Sequence, residues 1–560
     1  MINPEAGTDP AIAGASAPDW PLRPWLSGGL LALCGLAIWL LVDGNSESAG
    51  RMAGAAFFAF GGIVAAFTLE RADWKVPALF SVIVGAVMAG LAWHAVSSDP
   101  YLSDQHFAFA AGIFALLLAL PLFQAGFHRT RFATPYRATH FHVWTDGVSG
   151  AGALAFTGLS WLVLVILSEL FRLLKIDLLH DLMDEGWFGW MFSGAAFGAA
   201  LGTLRNQIRI IGTLRHVVML VLSLLTVPTA LALGMFLAAM IVSGPDVLWE
   251  ATRSATPVLL ACAAGAFVGT NAVVGGEDAA MTRNPVMRTA ALVLAAVILP
   301  LTVFAAVSMG TRIAHHGLSP ERLWGLLAIA VAVAYGLGAF VAVVRGRIKG
   351  WPAKLRDANM NLAVGVCVFA LLVALPLWDF GAISARQQIA RLDSGEVAAD
   401  TFDFHALRWD FGDAGRNALA LLAKRGGAVG SKAKAALAET ERYQFDRQRD
   451  AAKRTVRYQI ADPALRAQAQ KFLEASPYQC DDPCIVLDGG RRPDGKAHIV
   501  LVGPGRVTHR YLAPGDNPDV PAPQPAPPAA LIRPDTKVEI RAFEGRQVYI
   551  DGKPAGDPFE

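Results

Sequence analysis

Eleven stretches of roughly 20 mostly apolar residues recur along this chain, and nothing else in it restricts the fold as strongly. As a helix, a stretch of that length matches the hydrocarbon thickness of a bilayer. The stretches lie at approximately 25–42, 52–69, 76–96, 107–127, 150–171, 187–204, 217–242, 255–274, 289–311, 323–344 and 359–378. After Trp378 no further one occurs, and the last 182 residues read as soluble. Composition agrees: 17% of residues are charged and 54% hydrophobic, against about 25% charged in a soluble domain. The expected fold is an α-helical polytopic membrane protein of about 11 transmembrane helices with a C-terminal soluble α+β region. Residues 1–24 read as a mobile tail. No small-residue cleavage site follows "AIWLLVDGNSES", so the first stretch reads as a retained helix and not as a signal peptide.

Lys and Arg in short loops set the orientation of such a chain. One side carries sixteen, from Arg23 through Arg71, Lys75, Arg129, Arg131, Arg137, Arg205, Arg209, Arg215, Arg283 and Arg288 to the run Arg345–Arg356. The other carries six: Arg51, Arg172, Lys175, Arg253, Arg312 and Arg322. The expectation is a cytoplasmic N-terminus and an external C-terminal region. Anionic lipids are the expected partners of the basic cytoplasmic loops, and nothing points to nucleic acid. Cys34, Cys262 and Cys367 lie in apolar stretches, while Cys480 and Cys484 form "CDDPC" in the tail. In an oxidising compartment that pair closes a small loop, a link of about 2 kcal/mol by loop entropy. A redox or metal-binding pair and two free thiols are the alternatives.

Within the apolar region, "GAAFGAALG" sets Gly194, Gly198 and Gly202 one helical turn apart, which lets a neighbouring backbone approach. Packing inside the bundle is the expectation, and a dimer face the alternative. Glu169, followed by Arg172 and Lys175, reads as an interfacial group that pairs or snorkels; Asn271 and Asn361 read as helix-packing groups, and lining a polar path is the alternative for all three. "THFHVW" puts His140 and His142 in what reads as a loop with His128, Arg129 and Arg131, and interfacial anchoring is favoured there over a metal site. "GRRPDGKA" has Ala497 where a phosphate-binding loop needs Ser or Thr, and it reads as a polar turn.

"RIAHHGLSPERLWGLL" contains a complete helix start: Ser319 as N-cap, Pro320 first and Glu321 in the first turn. Arg312 and Arg322 are left over, on the arginine-poor side. The acidic segment from Asp379, with Asp393, Asp400, Asp403 and Asp410, suggests a salt-bridged clamp on the following helical region, with an anion site as the alternative. The tail divides into a juxtamembrane helical segment, 379–475, and a small β-rich domain, 476–560. Helical spacing extends over 383–475, including "TVRYQ", and short alternating runs follow, with Glu544 and Gly545 at a hairpin turn.

"RIAHHGLSPERLWGLL", "DFGAISARQQIARLDSGEVAADTFDFHALRWDFGDAGRNAL" and "GVSGAGALAFTGLSWLVLVILSELFRLLKI" together resemble a family of bacterial polytopic membrane proteins known as domain of unknown function four-one-five-three. The likeness covers most of residues 140–424. It implies a multi-pass protein of the bacterial inner membrane, and no reaction, catalytic residue, metal or cofactor. The favoured role is a non-catalytic envelope scaffold or sensor whose region 379–560, external and periplasmic, meets an envelope partner. The alternatives are a transporter or flippase of a lipid-like or anionic substrate, and a membrane enzyme acting on a lipid-linked substrate.

Overall fold

A computed structural model describes residues 20–43, 48–97, 103–243, 255–440, 442, 456–476, 479–480, 483–491, 496–503, 506–512, 546–550 and 553–559. The chain forms two compact units, Met1–Ala433 and Lys434–Glu560. The first is helical: α1 (Arg23–Val42), α2 (Ala49–Thr68), α3 (Lys75–Ser97), α4 (Ser103–Gln124), α5 (Tyr136–Leu173), α6 (Leu178–Asp184), α7 (Gly186–Asn206), α8 (Ile208–Ser243), α9 (Thr256–Val274) and α10 (Pro285–His316). They are followed by α11 (Pro320–Arg347) and α12 (Lys349–Ala374), then α13 (Phe380–Asp393), α14 (Phe404–Trp409), α15 (Gly412–Leu422) and α16 (Gly427–Ala438). Ten of these are long and apolar enough to cross a membrane, so the protein is a multi-pass helical membrane protein. Helix α1 begins at Arg23, inside the stretch read as a tail; residues 1–19 lie outside the described residues.

Helix α7, the stretch read at 187–204, is not among those ten. It runs antiparallel to α1 along the length of both. A Cβ on Gly194 would collide with the Leu31 carbonyl, one on Gly198 with the Ser27 carbonyl, and one on Gly202 would lie 2.7 Å from Pro24 Cα. From the α1 side, a Cβ on Gly35 would collide with the Trp190 carbonyl. The glycine stripe therefore packs backbone on backbone within the bundle, the close approach that small residues permit. Helices α11 and α12 fold back on each other at Arg347, whose φ is +51°, and Gly338 of α11 lies against Ala358 and Leu362 of α12. The largest core forms around α10, where Leu294, Ala295, Leu301 and Ala305 are fully buried against α8, α9 and α11.

Helix starts are capped locally. Asn284 Oδ1 accepts from Val286 N (2.9 Å), Ser319 Oγ from Arg322 N (3.3 Å), Asp379 Oδ1 from Ala382 N (2.7 Å) and Asp403 Oδ1 from Ala406 N (2.9 Å). Helix ends are closed from far away. The last carbonyls of a helix lack intrahelical donors, and leaving them bare near lipid is costly. Arginines supply the donors, and their charge opposes the negative end of the helix dipole. Arg51 donates to Leu40 O and Leu41 O at the end of α1 (3.0 and 2.5 Å). Arg205 donates to Ala66 O of α2 (2.8 Å), and Gln124 to Phe67 O beside it (2.9 Å). Arg23 reaches Arg205 O of α7 (3.3 Å), and Arg356 closes α9 through Val274 O and Gly275 O (3.0 and 3.1 Å).

The C-terminal unit holds β1 (Val456–Gln459), α17 (Pro463–Ala475), β2 (Cys484–Arg491), β3 (Ala497–Gly503), β4 (Arg506–Leu512), β5 (Arg546–Ile550) and β6 (Lys553–Phe559). One sheet has the order β1-β2-β3-β4, and β5 and β6 form a separate two-stranded ribbon. Strands β1 and β2 are parallel, and the other pairs of the first sheet are antiparallel. Helix α17 connects β1 to β2 and packs Leu465, Ala469 and Leu473 onto Val486, Ile499 and Leu501. "TVRYQ", read as helical, is here a strand over Val456–Gln459: its residues alternate between half-buried and exposed, which fits a sheet's period of two and not a helix's. The helix of the 379–475 segment that follows it thus shares a core with the sheet. Cys480 and Cys484 are joined in a disulfide, Cα–Cα 5.7 Å. Glu544 and Gly545 lie outside the described residues, with the rest of 513–545.

Candidate functional site

The basic end of the bundle carries a polar network that joins α5, α9 and α12. Asn359 Nδ2 donates to Asn271 Oδ1 (2.7 Å), Tyr136 Oη donates to the same oxygen (3.2 Å), and Asn271 Nδ2 donates to Phe267 O (2.8 Å). Three residues before Asn359, and so on the same face of α12, stands Arg356. Besides the two carbonyls of α9 it holds Asp278 Oδ1 at 2.7 Å. Arg137 of α5 pairs with Glu277 at 3.0 Å. Gly275 turns the chain with φ +62°, and a Cβ on Gly276 would lie 3.3 Å from Arg137 Cα. Together these contacts tie the 275–282 loop to α5, α9 and α12.

That loop is one wall of a chamber of about 540 Å³. Arg137, His140 and Phe141 of α5 and Arg215, His216 and Met219 of α8 form the others. The Arg215 guanidinium sits 4.7 Å over the Phe141 ring, a favourable stack for a weakly hydrated cation. Among the described residues no carboxylate pairs with Arg215. Below the chamber, α8 and α10 enclose an apolar groove of about 670 Å³, lined by Ala230, Leu231, Gly234 and Met235 on one side and Val286 and Val293 on the other. On α8 the two linings follow one stripe, 216, 219, 223, 227, 230, 234, at helical spacing.

The sequence-selected residues scatter. Asn271 lies in the network, but Asn361 is exposed on α12. Glu169 is exposed near the far end of α5 and pairs with Arg172 at 3.0 Å. The three do not line one path. The residue that the sequence reading missed is Asn359, two positions before Asn361 and so about 200° round the helix. His140 and His142 stand on α5, not in a loop: the helix starts at Tyr136, directly after Pro135. His140 Nε2 accepts from Trp144 Nε1 at 3.1 Å. In the short helix Phe127–Thr130, outside the membrane-spanning helices, His128 has its pKa lowered by burial and by the neighbouring Arg129. Among the described residues no group of three or more His, Cys, Asp or Glu side chains converges on one point.

At the opposite end, the stretch around Arg312 and Arg322 does dock on the juxtamembrane helices. Gln388 Nε2 donates to His316 O and Leu318 O (both 2.8 Å), Leu318 N donates to Gln387 Oε1 (2.9 Å), and Arg391 Nη2 donates to His315 O (3.1 Å). Arg322 Nη1 donates to Gly317 O (2.8 Å) and His316 O (3.2 Å), which closes the end of α10. The Asp403 carboxylate acts electrostatically on Arg322, and four of the acidic residues hydrogen-bond to other groups. Asp379 and Asp403 are N-caps, Asp393 pairs with Arg425 (2.5 Å) and Asp400 with Lys432 (2.7 Å). Those last two carboxyls titrate below their ordinary range, held down by the hydrogen bonds from Arg425 and Lys432. Trp324 of α11 meets Phe380 of α13 edge to face at 5.3 Å.

The model of one family, a domain of unknown function (DUF4153), matches residues 55–422. No curated protein and no solved structure matches the chain.

Proposed function

The chain belongs to the DUF4153 family, a domain of unknown function, and on that footing we propose that it is a non-catalytic envelope scaffold or sensor of the bacterial plasma membrane. The observation that carries this reading is the clasp between the α10–α11 turn and α13. Hydrogen bonds from Gln387, Gln388 and Arg391 and the Trp324–Phe380 contact fix the membrane body to the segment leading into the C-terminal unit. A clasp of backbone carbonyls, amide side chains and the buried Arg391 transmits position from one segment to the next. The sixteen-to-six division of Lys and Arg supports an orientation with the chamber at the cytoplasmic leaflet. The orientation also rests on counting α7 as a crossing, since eleven crossings put the two ends of the chain on opposite sides. The Cys480–Cys484 disulfide suits an oxidising exterior. There the region 379–560 is free to meet an envelope partner.

Reporter fusions at residue 380 and at the C-terminus test the reading. Alkaline phosphatase is expected to be active, and a cytoplasm-requiring fluorescent protein dark, at both sites. The opposite pattern would overturn the orientation and, with it, the external role. Substituting Gln388 and Arg391 together by Ala is expected to expose the 394–403 connection to added protease while the membrane helices stay intact.

A further inference from the structure

We infer that the chamber at the basic end and the groove below it form one binding site for an acidic phospholipid, with the phosphate in the chamber and an acyl chain in the groove. This deepens the sensor reading and rests on it for which leaflet supplies the lipid.

Three observations converge. The first is charge. The chamber brings together Arg137, Arg215 and His216; Glu277 offsets Arg137, whereas no described carboxylate offsets Arg215. Its guanidinium, braced over Phe141, keeps its N–H edges for an oxyanion, for which a planar fork is well matched. The second is the match of the two linings. A face of α8 that begins at His216 and Met219 continues without a break into Ala230, Gly234 and Ala238, so polar and apolar parts share one wall, as an amphiphile requires. The third is access. Leu231, Met235 and Val286, on the groove walls, are exposed on helices that cross the membrane, so what fills the groove is hydrocarbon. A chamber of about 540 Å³ falls within the ordinary range for small-ligand sites. The loop 275–282 is pinned by Arg356 and Gly275 before any ligand arrives, which lowers the ordering cost of binding.

The test uses the full chain in phosphatidylcholine nanodiscs doped with a trace of phosphatidylglycerol or phosphatidylcholine that carries a photoreactive acyl chain. Phosphatidylglycerol is expected to label the α8–α10 groove about tenfold more than phosphatidylcholine, the scale of one charge-assisted bond. Arg215→Gln is expected to remove that preference, and Arg215→Lys to retain part of it. Gly234→Leu is expected to suppress labelling by both lipids. An added Cβ there meets nothing within 4 Å, so the side chain has room to enter the groove. Equal labelling by the two lipids would overturn the headgroup assignment, and unchanged labelling in Gly234→Leu would overturn the acyl-chain assignment. Excess inorganic phosphate is expected to leave labelling intact; full displacement would identify a soluble phosphate as the ligand and overturn the lipid. Should Arg215→Gln fail to fold, the lipid comparison and Gly234→Leu decide the matter. Nanodiscs expose both faces, so failure here leaves the topology reading standing, and failed reporters leave this site standing.

Discussion

An arginine set against the carbonyl end of a helix satisfies stranded acceptors and opposes the dipole with one side chain. Arg356 does this for α9 while also holding Asp278. Because its side chain is 9% exposed, its loss strands two carbonyls away from water. Arg356→Met is therefore expected to destabilise the folded protein by about 2–4 kcal/mol, read as a lowered midpoint of thermal unfolding in detergent. Arg356→Lys is expected to recover less than half, since a point charge cannot span three acceptors. The asparagines of α12 give a sharper contrast. Asn359→Leu leaves Asn271 and Tyr136 short of a partner and should cost about 1–3 kcal/mol, whereas Asn361→Leu, on the exposed face, should stay within about 0.5 kcal/mol. If the two variants melt alike, the buried network has been misplaced.

Among the elements, the membrane helices were legible because twenty apolar residues admit few other structures. The start of α11 was legible because an N-cap is local: Ser319, Pro320 and Glu321 are consecutive. The closures of helix ends were not, since Arg205 meets Ala66 from 139 positions away and Arg356 meets Gly275 from 81, and no spacing rule marks such pairs. The strand at 456–459 was missed because four alternating residues beside a charged run are too few to outweigh a helical reading. The Arg312–Arg322 segment meets the helices after Asp379 through main-chain carbonyls and amides, contacts that no pattern of charges in the sequence marks. In α13 to α16 the depressed Asp393 and Asp400 titrations add stability that is complete above the unfolded carboxylate value, about 3.9, and lost only as pH falls through the lower folded one. Protection against hydrogen exchange in residues 380–433, taken relative to the unstructured chain at the same pH, is thus expected to be unchanged from about pH 8 to about pH 5, with loosening confined to stronger acid. At the glycine stripe, Gly198→Leu is expected to separate α1 from α7 and abolish recovery of monodisperse protein, since the Ser27 carbonyl occupies the space of its Cβ.

On the scale of the whole molecule, the two units depend on different forces. The C-terminal unit has a core whose apolar residues include the buried Cys480 and Cys484. Cys480→Ser is expected to cost that unit about 2 kcal/mol, visible as faster proteolysis after residue 434 with the membrane unit unaffected. The membrane unit draws on helix pairing, and the pairing of α1 with α7 bears on how the protein is made. Helix α7 is not among the ten helices long and apolar enough to cross a membrane, and the surface that holds it is the backbone of a helix about 160 residues earlier in the chain. Helix α1 must therefore stay laterally exposed while α2 to α6 emerge, and its glycines act as a template on which a reluctant segment is seated. Seating α7, and with it the loops that follow Asn206, then depends on contacts made at Gly28 and Gly35.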